Sequence, residues 1–262
     1  MAEIASAVVT AVLMLLMLRA AATLVDPRSA VAARTVPWAA VVLVGLAVTG
    51  LVVQAAWSGA MATLDDDPAR TGWWRPFTAV FLQNGGAAGT TWNLVTLALV
   101  AAAAGLWWGD VLAVVLFAAG ALLPGLVDGV VGTLLRALPG SSGADAVTTS
   151  AADPRNFAGS SGATYFLAAT LAAAVVLHRA APVRERLVAG FVPVLGAVAF
   201  VAVDDAHGLV TAEGFVVGLA VTAIVAVWPP TRRAAANRGR APRRTRARRR
   251  QGGGAGLTAG RW

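Results

Sequence analysis

Three side chains in this sequence have the types and placement to carry out acyl transfer. Ser161 stands in the run Gly159, Ser160, Ser161, Gly162, and Tyr165, the only tyrosine of the chain, follows four residues later. His207 is one of just two histidines. A serine hydroxyl becomes a nucleophile when a base takes its proton. The alkoxide-like charge that then develops on a carbonyl oxygen needs donors already in place. Ser161 opens an apolar run, Ser160–Leu177, and so should sit at the N-terminus of a helix. There the first backbone N–H groups are unpaired and the helix end carries partial positive charge. Tyr165 falls on the same helix face as Ser161. The other histidine, His178, lies 17 residues beyond Ser161, roughly 25 Å away along a helix, among Arg179, Arg184 and Arg186. It reads as a solvated residue at the opposite end. The chain has no cysteine, which excludes disulfides, thiolate chemistry and cysteine zinc sites. With its histidines at opposite ends, a metal site is disfavoured, and no cofactor is expected.

The elements that must position these residues are membrane helices. The chain has 262 residues, of which 58% are hydrophobic and 13% charged, too few charges to coat a soluble domain. Apolar runs near twenty residues long match the bilayer core. The sequence predicts an all-α polytopic membrane protein with spans at Ile4–Val25, Val36–Trp57, Thr90–Trp108, Val111–Val131, Ser160–Leu177, Leu187–Val203 and His207–Trp228. The first span lacks a basic segment before it and reads as a retained helix rather than a cleaved signal. Ser58–Gly89 and Gly132–Asn156 read as long loops, the second with an apolar start suited to a short interfacial helix. Three regions follow: an N-terminal helix and hinge, 1–34; a helical core, 35–228; and an arginine-rich tail, 229–262, with no apolar periodicity, expected to be disordered.

Charge sets the expected orientation. All 21 basic residues are arginines. With the C-terminus in the cytoplasm, the inner segments hold Arg19, Arg28, Arg34, Arg179, Arg184, Arg186 and the eleven arginines of the tail. The outer side keeps only Arg70, Arg75, Arg136 and Arg155. The positive-inside rule therefore favours a cytoplasmic C-terminus and an outer N-terminus. Ser161 and His207 then both begin inward-running spans at the outer face, and neighbouring helices would bring them together. The alanine- and arginine-rich, lysine-free composition suggests a GC-rich bacterial source and hence a plasma membrane.

These residues resemble the rhomboid family of intramembrane serine proteases. Its Gly-x-Ser-Gly motif with a tyrosine four residues after the serine is matched by Gly159, Ser161, Gly162 and Tyr165, and Phe157 suits some members. The family's Ala-His-x-x-Gly-x-x-x-Gly is matched by Ala206, His207 and Gly214, with Val210 at the first glycine. Trp74 and Arg75 match an outer-loop Trp-Arg pair. Asn93 matches the asparagine of a His-x-x-x-Asn motif whose histidine position holds Gly89, and a further upstream histidine corresponds roughly to Gln83. The resemblance covers about residues 36–228 and implies a six-helix rhomboid-like core preceded by one extra N-terminal transmembrane helix. It implies a dyad of Ser161 and His207, with an oxyanion held by Asn93 and the Ser161 backbone. Tyr165, Gly159 and Gly162 would support the dyad, with Tyr165 against the His207 ring. Gly214 and Gly218 would pack helices, and Trp74 and Arg75 would be structural in the outer loop. No acid is assigned as a third member, because Asp205 belongs to the loop before the helix.

The implied substrates are single-span membrane proteins cleaved near the outer face. The remaining partners are the bilayer itself and anionic lipid at the arginine tail. Nucleic acid is not expected, since no aromatic residue interleaves those arginines. Two other readings stand beside the protease. One is a rhomboid-like binder of membrane helices without proteolytic activity. The other is a small transporter in which Asn93, His207 and Glu213 line a polar path. The glycines at 159 and 162 also suit simple close helix approach, and the tryptophans at 73 and 74 suit interfacial anchoring. A second Gly-x-Ser-Gly, Gly140 to Gly143, has Ala146 at the tyrosine position and reads as loop.

Overall fold

The structure, a computed structural model, describes residues 2–25, 35–66, 72–137, 159–203 and 205–227. Phe157, the Gly140–Gly143 copy and the arginine tail lie outside these residues. Met1–Ala223 forms one compact unit. Of the second, Ile224–Trp262, only the end of a helix as far as Val227 is described.

Among the described residues every element is a helix. In chain order they are α1 (Ala2–Leu24), α2 (Trp38–Ala56), α3 (Ala60–Leu64), α4 (Arg75–Ala79), α5 (Gly86–Trp108), α6 (Asp110–Ala137), α7 (Ser161–Leu177), α8 (Val183–Val203) and α9 (Ala206–Val227). Six of these, α1, α2, α5, α6, α8 and α9, are long and apolar enough to cross a membrane. Large apolar side chains face outward on them, including Val8, Leu15, Val52, Val111, Phe191 and Val216. In water such surfaces would be a liability, but lipid is their natural solvent. The protein is a multi-pass, all-α membrane protein.

The seventh apolar helix, α7, is the hub. Every residue from Ala163 to Val175 is buried, so α7 meets protein on all sides, as a helix apolar around its whole circumference should. It packs against α1, α5, α6 and α8. It is also short: 17 residues span about 25 Å, less than a hydrocarbon core of about 30 Å. With one end at an interface, the other end therefore stops below the opposite surface. The Arg186 Nε donates to the Val176 carbonyl at 2.9 Å and closes the C-terminal end of α7.

Small residues let α9 reach the hub. A Cβ on Gly214 would lie 2.4 Å from the Phe166 carbonyl oxygen, and one on Gly218 would lie 2.5 Å from Thr170 Cα. The two backbones are thus in direct contact, the packing expected of these glycines. The pairs 214 with 166 and 218 with 170 keep one offset, 48, so α7 and α9 run parallel in fixed register. That register sets His207 level with Gly159, beside the start of α7. Val210 is buried and does not hold the helices apart.

α1 is woven into the same unit. It packs against α8, α7 and α5, and Leu13, Met14 and Met17 are fully buried. The loop after α2 folds into two short helices, α3 and α4, that the sequence does not reveal. Arg75 ties them together, its Nη1 donating to the Asp65 carbonyl at 2.6 Å and approaching the Asp65 carboxylate at 3.4 Å. Its guanidinium also lies 5.2 Å from the Trp74 ring centre, within cation–π range. Trp74 and Arg75 are thus structural parts of this loop.

Candidate active site

The start of α7 is shaped by Gly159. Its φ of +131° belongs to a region that L side chains avoid, and its N–H donates to the Ala79 carbonyl at 3.0 Å. This turn delivers Ser160 to the cap position, where its side chain makes no capping bond. Ser161 follows as the first helical residue. Ser160 instead accepts on its carbonyl from both the Thr164 N–H and the Thr164 hydroxyl, at 2.9 and 2.6 Å. Among the described residues no side chain bonds the first amides of α7, the orphan donors of a helix N-terminus.

Amide side chains converge on this turn. A Cβ on Gly159 would lie 3.8 Å from both the Asn93 Nδ2 and the Ser161 Oγ, so the two groups border the same small space. Asn93 Nδ2 donates to Gln83 Oε1 at 2.9 Å, and Gln83 Nε2 approaches Ser160 Oγ at 3.3 Å. Gln54 clamps the Gln83 backbone from α2, donating to its carbonyl and accepting from its N–H, each at 2.9 Å. Each amide nitrogen carries two protons, so Asn93 retains one after bonding Gln83. Gly89 lies one turn before Asn93 on α5. Among the described residues, nothing lies within 4 Å of where its Cβ would be, and the same holds at Gly162.

His207 is held on three sides. Its Nδ1 lies 2.7 Å from Asp205 Oδ1, which also accepts from the His207 backbone N–H at 3.0 Å. The second oxygen of Asp205 accepts from the hydroxyl of Ser6, on α1. Burial works against ionising Asp205, but the hydrogen bonds and charge of His207, helped by Ser6, outweigh it and bring its carboxyl down to about 2. The Tyr165 ring packs on the imidazole with centroids 4.7 Å apart and planes inclined by 49°. Side chains on a helix lean toward its N-terminus, which carries the Tyr165 ring back toward the level of His207. The Tyr165 hydroxyl donates to the Thr10 carbonyl of α1 at 2.7 Å.

Ser161 and His207 therefore stand at one end of adjoining helices without a direct hydrogen bond between them. The imidazole is anchored on Asp205 and Tyr165 instead. His178, by contrast, lies at the other end of α7, edge-on to Trp107 with ring centres 5.2 Å apart. A surface groove of about 510 Å³ runs along Ala87, Ala88, Thr91, Trp92 and Val95 of α5. It is distinct from the space around Ser161, although Asn93 and Trp92 are adjacent in the chain.

Four residues make contacts at the site that the sequence does not announce: Asp205, Gln83, Gln54 and Ser6. Asp205 was set aside as a loop residue, yet it occupies Nδ1 of His207. Its position two residues before a histidine at a helix start, where a carboxylate caps backbone N–H groups, was the available signal. Gln83 and Gln54 form a buried amide pair whose meeting no local pattern announces. Ser6 lies 199 residues from Asp205, and nothing in the sequence links them. Comparison with models of protein families found no match, and neither did comparison with curated proteins or with solved structures.

Proposed function

We propose that this protein is an intramembrane serine endopeptidase of the rhomboid type. The observation that carries the proposal is the fixed imidazole of His207, bound to Asp205 through Nδ1 and packed on Tyr165, beside the serine that starts the buried helix α7. An acceptor on Nδ1 keeps the proton of the neutral ring there and leaves Nε2 as the base. In this mechanism Nε2 takes the Ser161 proton as the hydroxyl attacks the scissile carbonyl. The same nitrogen then protonates the leaving amine, and water repeats the sequence on the acyl-enzyme. The Ser161 backbone N–H and the second proton of Asn93 Nδ2 hold the oxyanion. Proton transfer requires the hydroxyl and Nε2 to approach more closely than in this resting form, a tightening common on substrate binding.

The substrate is a single-span membrane protein whose helix unwinds near the outer face, because peptide bonds inside an intact helix are shielded by their own hydrogen bonds. The arginine distribution supports a cytoplasmic C-terminus in a plasma membrane, with the site toward the exterior. A second reading, a helix-binding protein without proteolysis, is favoured by the absence of a Ser161–His207 hydrogen bond and by the empty position at Gly89.

Labelling by a fluorophosphonate probe separates the two. The protease acquires label at Ser161, and loses it in Ser161→Ala and in His207→Ala. Label that survives in Ser161→Ala, or is absent from the parent protein, rules the protease out. A binder without activity would still retain a single-span helix in detergent after Ser161→Ala, with no cleavage by either form.

A further inference from the structure

We infer that α1 is a working part of the site, with Ser6 and Thr10 positioning His207 through Asp205 and Tyr165. The inference rests on the proposed serine chemistry and deepens it, since it makes the acid and its brace part of the base. Capping of α9 alone would account for the bond from the His207 backbone N–H to Asp205 Oδ1. It does not account for the same oxygen meeting the imidazole Nδ1, nor for a hydroxyl from a distant helix on the other oxygen. With one oxygen on His207 and the other on Ser6, the carboxylate plane has no freedom to turn. One helical turn further along α1, the Thr10 carbonyl accepts the Tyr165 hydroxyl and steadies the ring that backs the imidazole. Ser6 and Thr10 are four residues apart and share one face of α1. A single helix face therefore holds both supports of the histidine. Asp205 and Ser6 are positioning residues, because neither is required to touch the reacting carbonyl.

The consequence is a defined tautomer, with the proton on Nδ1 and the lone pair on Nε2. Only one other imidazole is present, so ¹⁵N spectra of histidine-labelled protein in nanodiscs, made in a His178→Gln background, report His207 alone. At about pH 9, where an imidazole is neutral, the parent should show a protonated Nδ1. Asp205→Asn should move the proton toward Nε2 and slow fluorophosphonate labelling of Ser161 by about 10²-fold or more. Ser6→Ala should broaden the tautomer signal and slow labelling roughly tenfold, and Ser6→Thr, which restores a hydroxyl, should recover the rate. Parent-like spectra and rates in both Asp205→Asn and Ser6→Ala would overturn the inference while leaving the protease intact. An unlabelled Ser161 in the parent would instead remove the proposed function, and the tautomer would still decide whether Asp205 and Ser6 fix the ring.

Discussion

At the scale of single residues, the proposed serine chemistry divides the site into groups that would touch the reacting bond and groups that hold them. Asn93 belongs to the first. Its replacement by alanine removes one oxyanion donor and should lower the cleavage rate about 10²–10³-fold, equivalent to roughly 2.7–4 kcal/mol, with little change in substrate capture. Asp205 belongs to the second and leaves a signature in stability. Its carboxyl titrates near 2 in the folded protein, below the ordinary value of about 3.9. Between those values the unfolded chain binds the extra proton, so the contribution is complete above about pH 4 and disappears as pH falls through 2. Thermal unfolding in detergent between pH 5 and pH 2 should show this loss, about 1 kcal/mol once solvent screening is allowed for, and Asp205→Asn should not show it. The serine, the tyrosine and the histidine were legible in the sequence because their chemistry is rare in an apolar chain. The brace was not, because a hydroxyl at Ser6 and a carboxylate at Asp205 are unremarkable until folding brings them together.

At the scale of elements, the contrast between two glycines of the motifs is a direct test of packing. A side chain at Gly214 collides with the Phe166 backbone, whereas one at Gly162 meets none of the described residues. Gly214→Leu should therefore push α9 off α7, cost about 1–3 kcal/mol or more in unfolding free energy, and abolish labelling of Ser161. Gly162→Ala should leave the melting temperature close to the parent value. The helix spans could be read from runs of apolar residues, since lipid demands them, but their ends could not. α5 begins at Gly86, four residues before the predicted Thr90, because the Gly89 N–H closes a turn onto the Gly85 carbonyl despite poor helix formers. α6 runs on to Ala137, absorbing the apolar stretch expected as a separate interfacial helix. The loop helices α3 and α4 were invisible because their anchor, buried Arg75, looks like any loop arginine until Asp65 and Trp74 surround it.

At the scale of the whole molecule, the fold class followed from composition, while the arrangement around α7 did not. α1 carries only a few polar residues, Ser6, Thr10 and Arg19 among them, within a long apolar run, and such a pattern does not name its neighbours. Only the structure shows it against α5, α7 and α8. Orientation is open to a simple measurement: alkaline phosphatase fused after Trp228 should be inactive and a fluorescent protein at the same point bright, if the C-terminus is cytoplasmic. One contact constrains how such a molecule could admit a bulky guest. A Cβ on Gly208 would lie 2.2 Å from the Gly196 carbonyl oxygen, so the backbones of α8 and α9 touch at the residue next to His207. This part of α8 is therefore a doorpost rather than a door. Were it to swing outward it would drag the imidazole with it, so on the proposed function an entering helix would have to arrive past some other edge of the bundle.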